Sequence, residues 1–416
     1  MGSFWNTLGL EDNPYDPRPL TINDKDRKLF VGRTNELTQL STLVSGDKGG
    51  IIIIEGEVGV GKTSFVNIFQ HDKWKHEKLL PSSEKIELSD NTNSVNFMLS
   101  VLSNMIFNLE KIDSSTLLKK DQVHKNTKAL IAKTIESGWV GSISVAGFGG
   151  GVSRHKTVSQ PAAVVLPTIL DAMDKWVSFV INKLGYSSII VPVDNFDIVD
   201  EDVIIDFLNG TRDILIGRTN IWWLLIGQKG LFSLIEKKAH RVSEIITGKP
   251  VILNSLSLKE MHQMINLRYE NLKKSKPVEQ IIPSQIIDIL YDASKGEARY
   301  ILKRITDMAY SFIGEFPSER KISLNIAKNL LHSDVKKRIE NAELTERQSE
   351  VLQRMVKIGS FQPKEFTQFG LKSAQALKDY VDKFNNFGFV KKEETSGKAV
   401  YYRTTGDVNI YFKRQM

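Results

Sequence analysis

The chain has 416 residues, room for two to four domains at roughly 100–200 residues each. Its 41% hydrophobic and 25% charged residues exclude a largely disordered polymer, and its lack of cysteine excludes disulfides, thiol nucleophiles and thiolate metal centres. The net charge of +7 favours an anionic partner.

No uninterrupted apolar run approaches the roughly 18 residues of a membrane-spanning helix. The first residues include Glu11 and Asp12 and lack the charged-then-apolar order of a secretory signal, so a cytoplasmic location is expected. Residues 1–29 read as an N-terminal arm. The strongest signal follows at 51–69. Four consecutive isoleucines, Ile51 to Ile54, predict a buried strand, and Phe65, Ile68 and Phe69 recur at helical spacing. Between them Gly56, Gly61, Lys62 and Thr63 match G-x-x-x-x-G-K-[ST], the phosphate-binding loop, in its strand–turn–helix setting. Its glycines let consecutive N–H groups curl toward phosphate oxygens, and the helix that follows offers its positive end to the same anion. Gly56, Glu57, Val58, Gly59, Val60, Gly61, Lys62, Thr63 and Ser64 are therefore the expected nucleotide cradle. Lys62 would span the β- and γ-phosphates of ATP, and Thr63 would give its hydroxyl to Mg²⁺.

Residues 96–109 are apolar at helical spacing, and 162–184 read as another helix with Pro167 near its first turns. Between them, alternation over 139–153 predicts an inserted β-hairpin turning near its glycines. A second buried strand runs from Ser188 to Asp194, whose carboxylate is expected to hold Mg²⁺ through the metal's water shell. Pro192 lacks the N–H a ladder needs, so a bulge or a departure from the sheet is expected there. Asn195 stands where many such enzymes place a water-activating glutamate; it can orient a water but is a poor base. Asp197 is the alternative acid.

From 255 to 340 the text is helical, with segments at 258–272, 282–292, 297–312 and 322–331 broken by Pro277, Pro283 and Pro317. The last stretch changes character. A capping-box start at Thr345 opens a helix, Pro363 opens a short one, and 373–384 carries Leu377, Tyr380, Val381 and Phe384 on one face. Two strands, 389–393 and 399–403, then flank a turn. Residues 345–416 hold thirteen Lys and Arg against eight Asp and Glu, five of the chain's net charge of +7.

The phosphate loop and its surroundings resemble the AAA+ ATPases, over roughly residues 20–335. Phe30-Val31-Gly32-Arg33-Thr34-Asn35-Glu36-Leu37 is similar to the family's adenine-proximal segment. Ile221 to Gln228 matches the next core strand, which implies that Gln228 is the polar sensor at its end. Gly296-Glu297-Ala298-Arg299 resembles the lid motif of initiator-type members, implying Arg299 as the nucleotide-sensing arginine. Arg241 lies close to where the family keeps the arginine finger that enters a neighbour's site, with Arg212 and Arg218 as competitors; a homo-oligomer formed through the ATP site is implied. Residues 341–416 resemble a winged-helix DNA-binding domain. That implies DNA contacts by Lys372, Ser373, Gln375 and Lys378 on the third helix and by Lys398 and Arg403 on the wing, although Asp379 and Asp382 share that helix and winged helices also dock proteins. The expected fold is thus an α/β P-loop NTPase core with a parallel sheet (30–254), an α-helical lid (255–340) and a winged helix (341–416). Two functions stay open. One is an ATPase whose nucleotide state controls assembly on DNA. The other is a STAND-like signalling or defence switch, in which the winged helix serves as an internal latch and the protein recruits a protein partner.

Overall fold

The computed structural model describes residues 4–45, 49–82, 85–89, 92–136, 162–196, 199–274, 279–316, 321–393 and 400–413. The hairpin expected at 139–153, Asp197 and Lys398 lie outside them.

Six strands form the core sheet: β1 (Gly49–Gly56), β2 (Leu79–Pro81), β3 (Ile86–Glu87), β4 (Ser188–Asp194), β5 (Ile221–Gly227) and β6 (Val251–Leu253). All pair in parallel, in the order β2-β4-β5-β1-β6, with β3 also on β4. Near-continuous apolar strands suit a sheet covered on both faces. Alternate side chains divide accordingly. Ile51, Ile53, Val191, Val193, Trp223 and Leu225 join one core, under helices that include Ser94–Ile112, Ala162–Asn182 and Glu201–Ile216. Ile52, Ile54, Ile190, Leu224 and Ile226 join the other, with Phe65 and Phe69 of the phosphate-loop helix.

Pro192 is accommodated differently from the expectation. It stays inside β4, opposite Leu224 of β5. The carbonyl of Ile190 accepts from the Ser82 amide at 3.0 Å and that of Asp194 from the Leu88 amide at 3.1 Å. Residues 190, 192 and 194 therefore face the outer edge, where parallel pairing would need an N–H from 192. Proline has none, and the neighbour breaks there: β2 ends at Pro81 and β3 starts at Ile86.

The helical lid comprises Leu258–Leu272, Ser284–Ser294, Ala298–Glu315 and Leu324–Glu340. After it come Glu346–Ile358, begun by the expected Thr345–Gln348 capping box, then a 3₁₀ helix at Pro363–Phe369 and the helix Ala374–Asn386. Strands β7 (Ser360–Phe361), β8 (Val390–Glu393) and β9 (Tyr401–Thr404) form an antiparallel sheet ordered β7-β9-β8, completing a winged helix. A closing helix, Gly406–Lys413, was not foreseen from the sequence. Its Val408, Ile410 and Phe412 share one apolar core with the lid, the winged helix and Trp5, Leu10 and Tyr15 of the arm. Among the described residues no helix is long and apolar enough to cross a membrane.

Candidate functional site

The phosphate loop joins β1 to the helix Lys62–Glu77. Gly59 and Gly61 adopt φ values of 83° and 97°, a region costly for residues with a Cβ. The helix has no side-chain N-cap, so its first N–H groups remain available to an anion. The Lys62 ammonium donates to the Gly56 and Glu57 carbonyls at 2.6 and 3.2 Å, which holds it over the loop. Behind the loop, Arg33 donates to the Val60 carbonyl at 3.2 Å and pairs with Glu36. The loop from Glu57 to Ser64 lines a cavity of about 310 Å³ together with Asp194, Asn195, Gln228 and Arg299. Gly56 lies at the end of β1, where a Cβ would sit 2.6 Å from the Leu253 carbonyl oxygen.

At one corner of this cavity the Thr63 hydroxyl lies 3.3 Å from Asp194 Oδ2. Asp194 is buried and takes its own neighbour's amide, Asn195 N, on Oδ1 at 2.8 Å. Asn195 has a left-handed φ of 73°, which asparagine tolerates better than most residues. Strand β5 lies between the loop strand and the acid strand, so Gln228, just past its end, lines the cavity between Lys62 and Asp194. Sequence reasoning missed Lys85. Its Nζ reaches Asp194 Oδ2 and Glu87 Oε1, each at 3.0 Å. Burial alone would lower its pKa, but the two carboxylates outweigh burial and raise it.

The arm forms the opposite wall. Pro17, Pro19 and Leu20 line the cavity with Phe30, Val31 and Met264. The Leu20 amide donates to the Ser64 hydroxyl at 3.0 Å and Asn67 donates to the Leu20 carbonyl at 2.8 Å, so the Ser64 side chain braces the arm. Arg268 is buried, donates to the Pro14 and Asp16 carbonyls, and is pushed down to about 10 by that burial. Neither the arm's role nor that of Arg268 was visible in the sequence, because the first depends on contacts across 44 and 47 residues and the second on contacts across 254 and 252.

The lid and the wing close the site. Arg299 N donates to the Gly59 carbonyl at 3.4 Å, and its exposed side chain lines the cavity. A Cβ on Gly59 would meet Glu297 Cγ at 2.9 Å. Glu297 also pairs with Lys391 of β8, and Glu57 of the loop pairs with Arg403 of β9 at 2.7 Å. Arg403 was expected on an exposed wing. It is buried instead, because β9 is the central strand of its sheet and its outward face is covered by the phosphate loop.

The other expected DNA-binding residues are distributed as follows. Lys372, Ser373 and Gln375 are exposed. Ser373 caps its helix by accepting from Ala376 N, and Gln375 donates to Asp379. Lys378 is half-buried, 3.1 Å from Asp382 and 3.3 Å from the Tyr402 hydroxyl. Arg241 is exposed on the short helix His240–Ser243 and does not line the cavity. Of its competitors, Arg212 donates to the Arg241 carbonyl and Arg218 pairs with Asp174.

No family model matches the chain, and no curated protein matches it. Among solved structures it is similar to the Aeropyrum pernix ORC2 protein in its ADPNP and ADP complexes, at 14% identity and a TM-score of 0.47, with 97% of each chain covered. It is also similar to the Aeropyrum pernix ORC1 protein in complex with DNA, at 12% identity and a TM-score of 0.45, with 93% of each chain covered. A third is Cdc6p from Pyrobaculum aerophilum, at 12% identity and 0.45, covering 98% of this chain and 99% of that one.

Proposed function

We propose that this chain is a cytoplasmic, Mg²⁺-dependent ATPase whose nucleotide state controls its assembly on DNA through the winged helix. The observation that carries the reading is the convergence of three parts on one loop. The cradle supplies Lys62 and a helix N-terminus without a side-chain cap. The lid touches Gly59 through Arg299 N, and the wing holds Glu57 through Arg403. A change in what the loop holds is felt at once by the two modules that follow it.

In this reading Lys62 and the loop amides bind the phosphates, and Gln228 and Asn195 orient a water toward the terminal one. Arg299 senses that phosphate from the lid, and a neighbour's Arg241 completes the site in a homo-oligomer. The residues fit a divalent cation: Thr63 and Asp194 offer hard oxygens 3.3 Å apart, and Mg²⁺ takes one or two protein oxygens plus phosphates. No larger carboxylate or histidine cluster is present among the described residues. When bound, Mg²⁺ neutralises charge on the phosphate oxygens. Asp197 stays a candidate acid. DNA contact rests on Lys372, Ser373, Gln375 and Lys378, with Lys398 on the turn; Arg403 has no part in it.

A second reading, a STAND-like switch that docks a protein, draws support from one feature. Two of the wing's cations, Lys391 and Arg403, are engaged with the ATPase core and the lid motif, as an internal latch requires. Gel shift with random duplex, with and without ATP, separates the two. Lys62→Ala should abolish binding of a fluorescent ATP analogue, and retained affinity refutes the nucleotide site. Lys372→Glu with Lys378→Glu should weaken duplex binding at least tenfold at low salt. No shift with the wild-type chain, with or without ATP, refutes the DNA reading and leaves the protein-docking one.

A further inference from the structure

The interruption of the sheet edge between β2 and β3, opposite Pro192, has a chemical product. It places Lys85 immediately before Ile86, whose partner is Val193, so that the lysine stands beside the end of the acid strand. Its ammonium meets Asp194 Oδ2 at 3.0 Å, the same oxygen that faces the Thr63 hydroxyl at 3.3 Å. That oxygen is the one that Asp194 would offer, beside the Thr63 hydroxyl, to a divalent cation. Lys85 also lines both the phosphate cavity and a second cavity of about 440 Å³ that shares its wall with the first. About a third of its side chain is exposed, and a second anion, Glu87, already lies at 3.0 Å. The ammonium can therefore leave Asp194 without losing every partner.

We propose that Lys85 is a positioning residue that shares Asp194 Oδ2 with the divalent cation and so sets the cation threshold of the site. An ammonium and a divalent cation held by the same carboxylate repel each other, so the site would take Mg²⁺ more readily with Lys85 turned toward Glu87. At low Mg²⁺ the lysine does what the metal would otherwise do: it neutralises Asp194, which faces the polyphosphate. The site then accepts ATP before metal, and metal entry becomes a separate step. The inference rests on the nucleotide reading above and specifies how that site handles its cation.

The test uses the full chain and a fluorescent ATP analogue, first in EDTA and then with Mg²⁺ added stepwise. Wild type is expected to bind in EDTA. Lys85→Ala should bind roughly tenfold more weakly there, the scale of one hydrogen bond to a charged group. Its Mg²⁺ midpoint should fall by a similar factor, because the competitor is gone. Lys85→Arg keeps the cation and should stay near wild type in both measurements. Identical EDTA affinity and Mg²⁺ midpoint in wild type and Lys85→Ala overturn the proposal while leaving the nucleotide site intact. An arginine variant that shifts as far as alanine also overturns it, since charge would then not be the cause. Failure of wild type to bind the analogue under any condition removes the nucleotide reading, and this inference with it.

Discussion

The pair between Glu57 and Arg403 ties the phosphate loop to a strand 346 residues away in sequence. Replacing Arg403 by Met keeps the aliphatic stem and removes the charge. The size of the effect follows from where the pair sits. Arg403 is 7% exposed and Glu57 35%, at 2.7 Å. A fully buried pair that loses one partner costs about 3–5 kcal/mol, and an exposed one about 0–1 kcal/mol. Water reaches the stranded Glu57 carboxylate, so a cost of about 1–3 kcal/mol is expected. Hydrogen exchange of the β9 amides is the suitable measurement, since it reads the free energy of opening the wing without requiring the whole chain to unfold in one step. Either Arg403→Met or Glu57→Gln should lower that opening energy, and the double variant should be little worse than the singles. A coupling energy of about 1 kcal/mol or more is the expected result. Purely additive effects, within about 0.3–0.5 kcal/mol, would show that the contact joins loop and wing in geometry only, and the coupling assigned to it would have to be abandoned.

Two further results are expected. Asp407 is buried and accepts from the Tyr300 hydroxyl and from Arg338, each at 2.7 Å, and it pairs with Arg304. Asp407→Ala removes the nearest carboxylate of the largely buried Arg304, leaving Asp307 at 4.0 Å, and should destabilise the lid by about 3 kcal/mol, while Arg338→Ala, at a half-exposed partner, should cost under about 1 kcal/mol; equal melting-temperature losses for the two would contradict this assignment. The Glu393 carboxyl is held below its ordinary value near 4.5: burial opposes this, and the Ser360 hydroxyl and Lys295 more than compensate. A depressed carboxylate adds stability above its ordinary value and loses it as pH falls through the lowered one. Glu393→Gln should therefore melt lower than wild type near neutral pH, with the gap closing in the acid range, and a gap that persists unchanged well below pH 4 refutes the linkage.

The parts of the site that depend on local order were legible in the sequence. The isoleucine run, the glycine spacing and Lys62-Thr63 all lie within one strand–turn–helix unit, so their placement needs little from the rest of the chain. Asp194 was legible because an apolar strand ending in an acid is a local pattern, and the lid helices because their apolar periodicity is strong. Lys85 was not legible, since it meets the acid strand only through the pairing of β3 with β4, more than a hundred residues later. Arg403 was misread for a related reason. A basic residue in a short amphipathic strand looks the same whether its outer face meets water or another module, and only the packing of the wing against Glu57 decides. The closing helix Gly406–Lys413 escaped notice because it is brief and its apolar residues serve a core shared with distant helices.

That shared core has a mechanical consequence. Because the lid, the winged helix and Trp5, Leu10 and Tyr15 of the arm pack around the same apolar residues, they share one core and are not two domains on a string. A fragment cut near residue 341 would carry bare Val408, Ile410 and Phe412 and would be prone to aggregate when expressed alone. A rotation of the lid about the short crossing between β6, which ends at Leu253, and the helix that starts at Leu258 would carry the helix Ala374–Asn386 with it. Under the proposed function, the winged helix would be the far end of a lever whose angle follows what the phosphate loop holds.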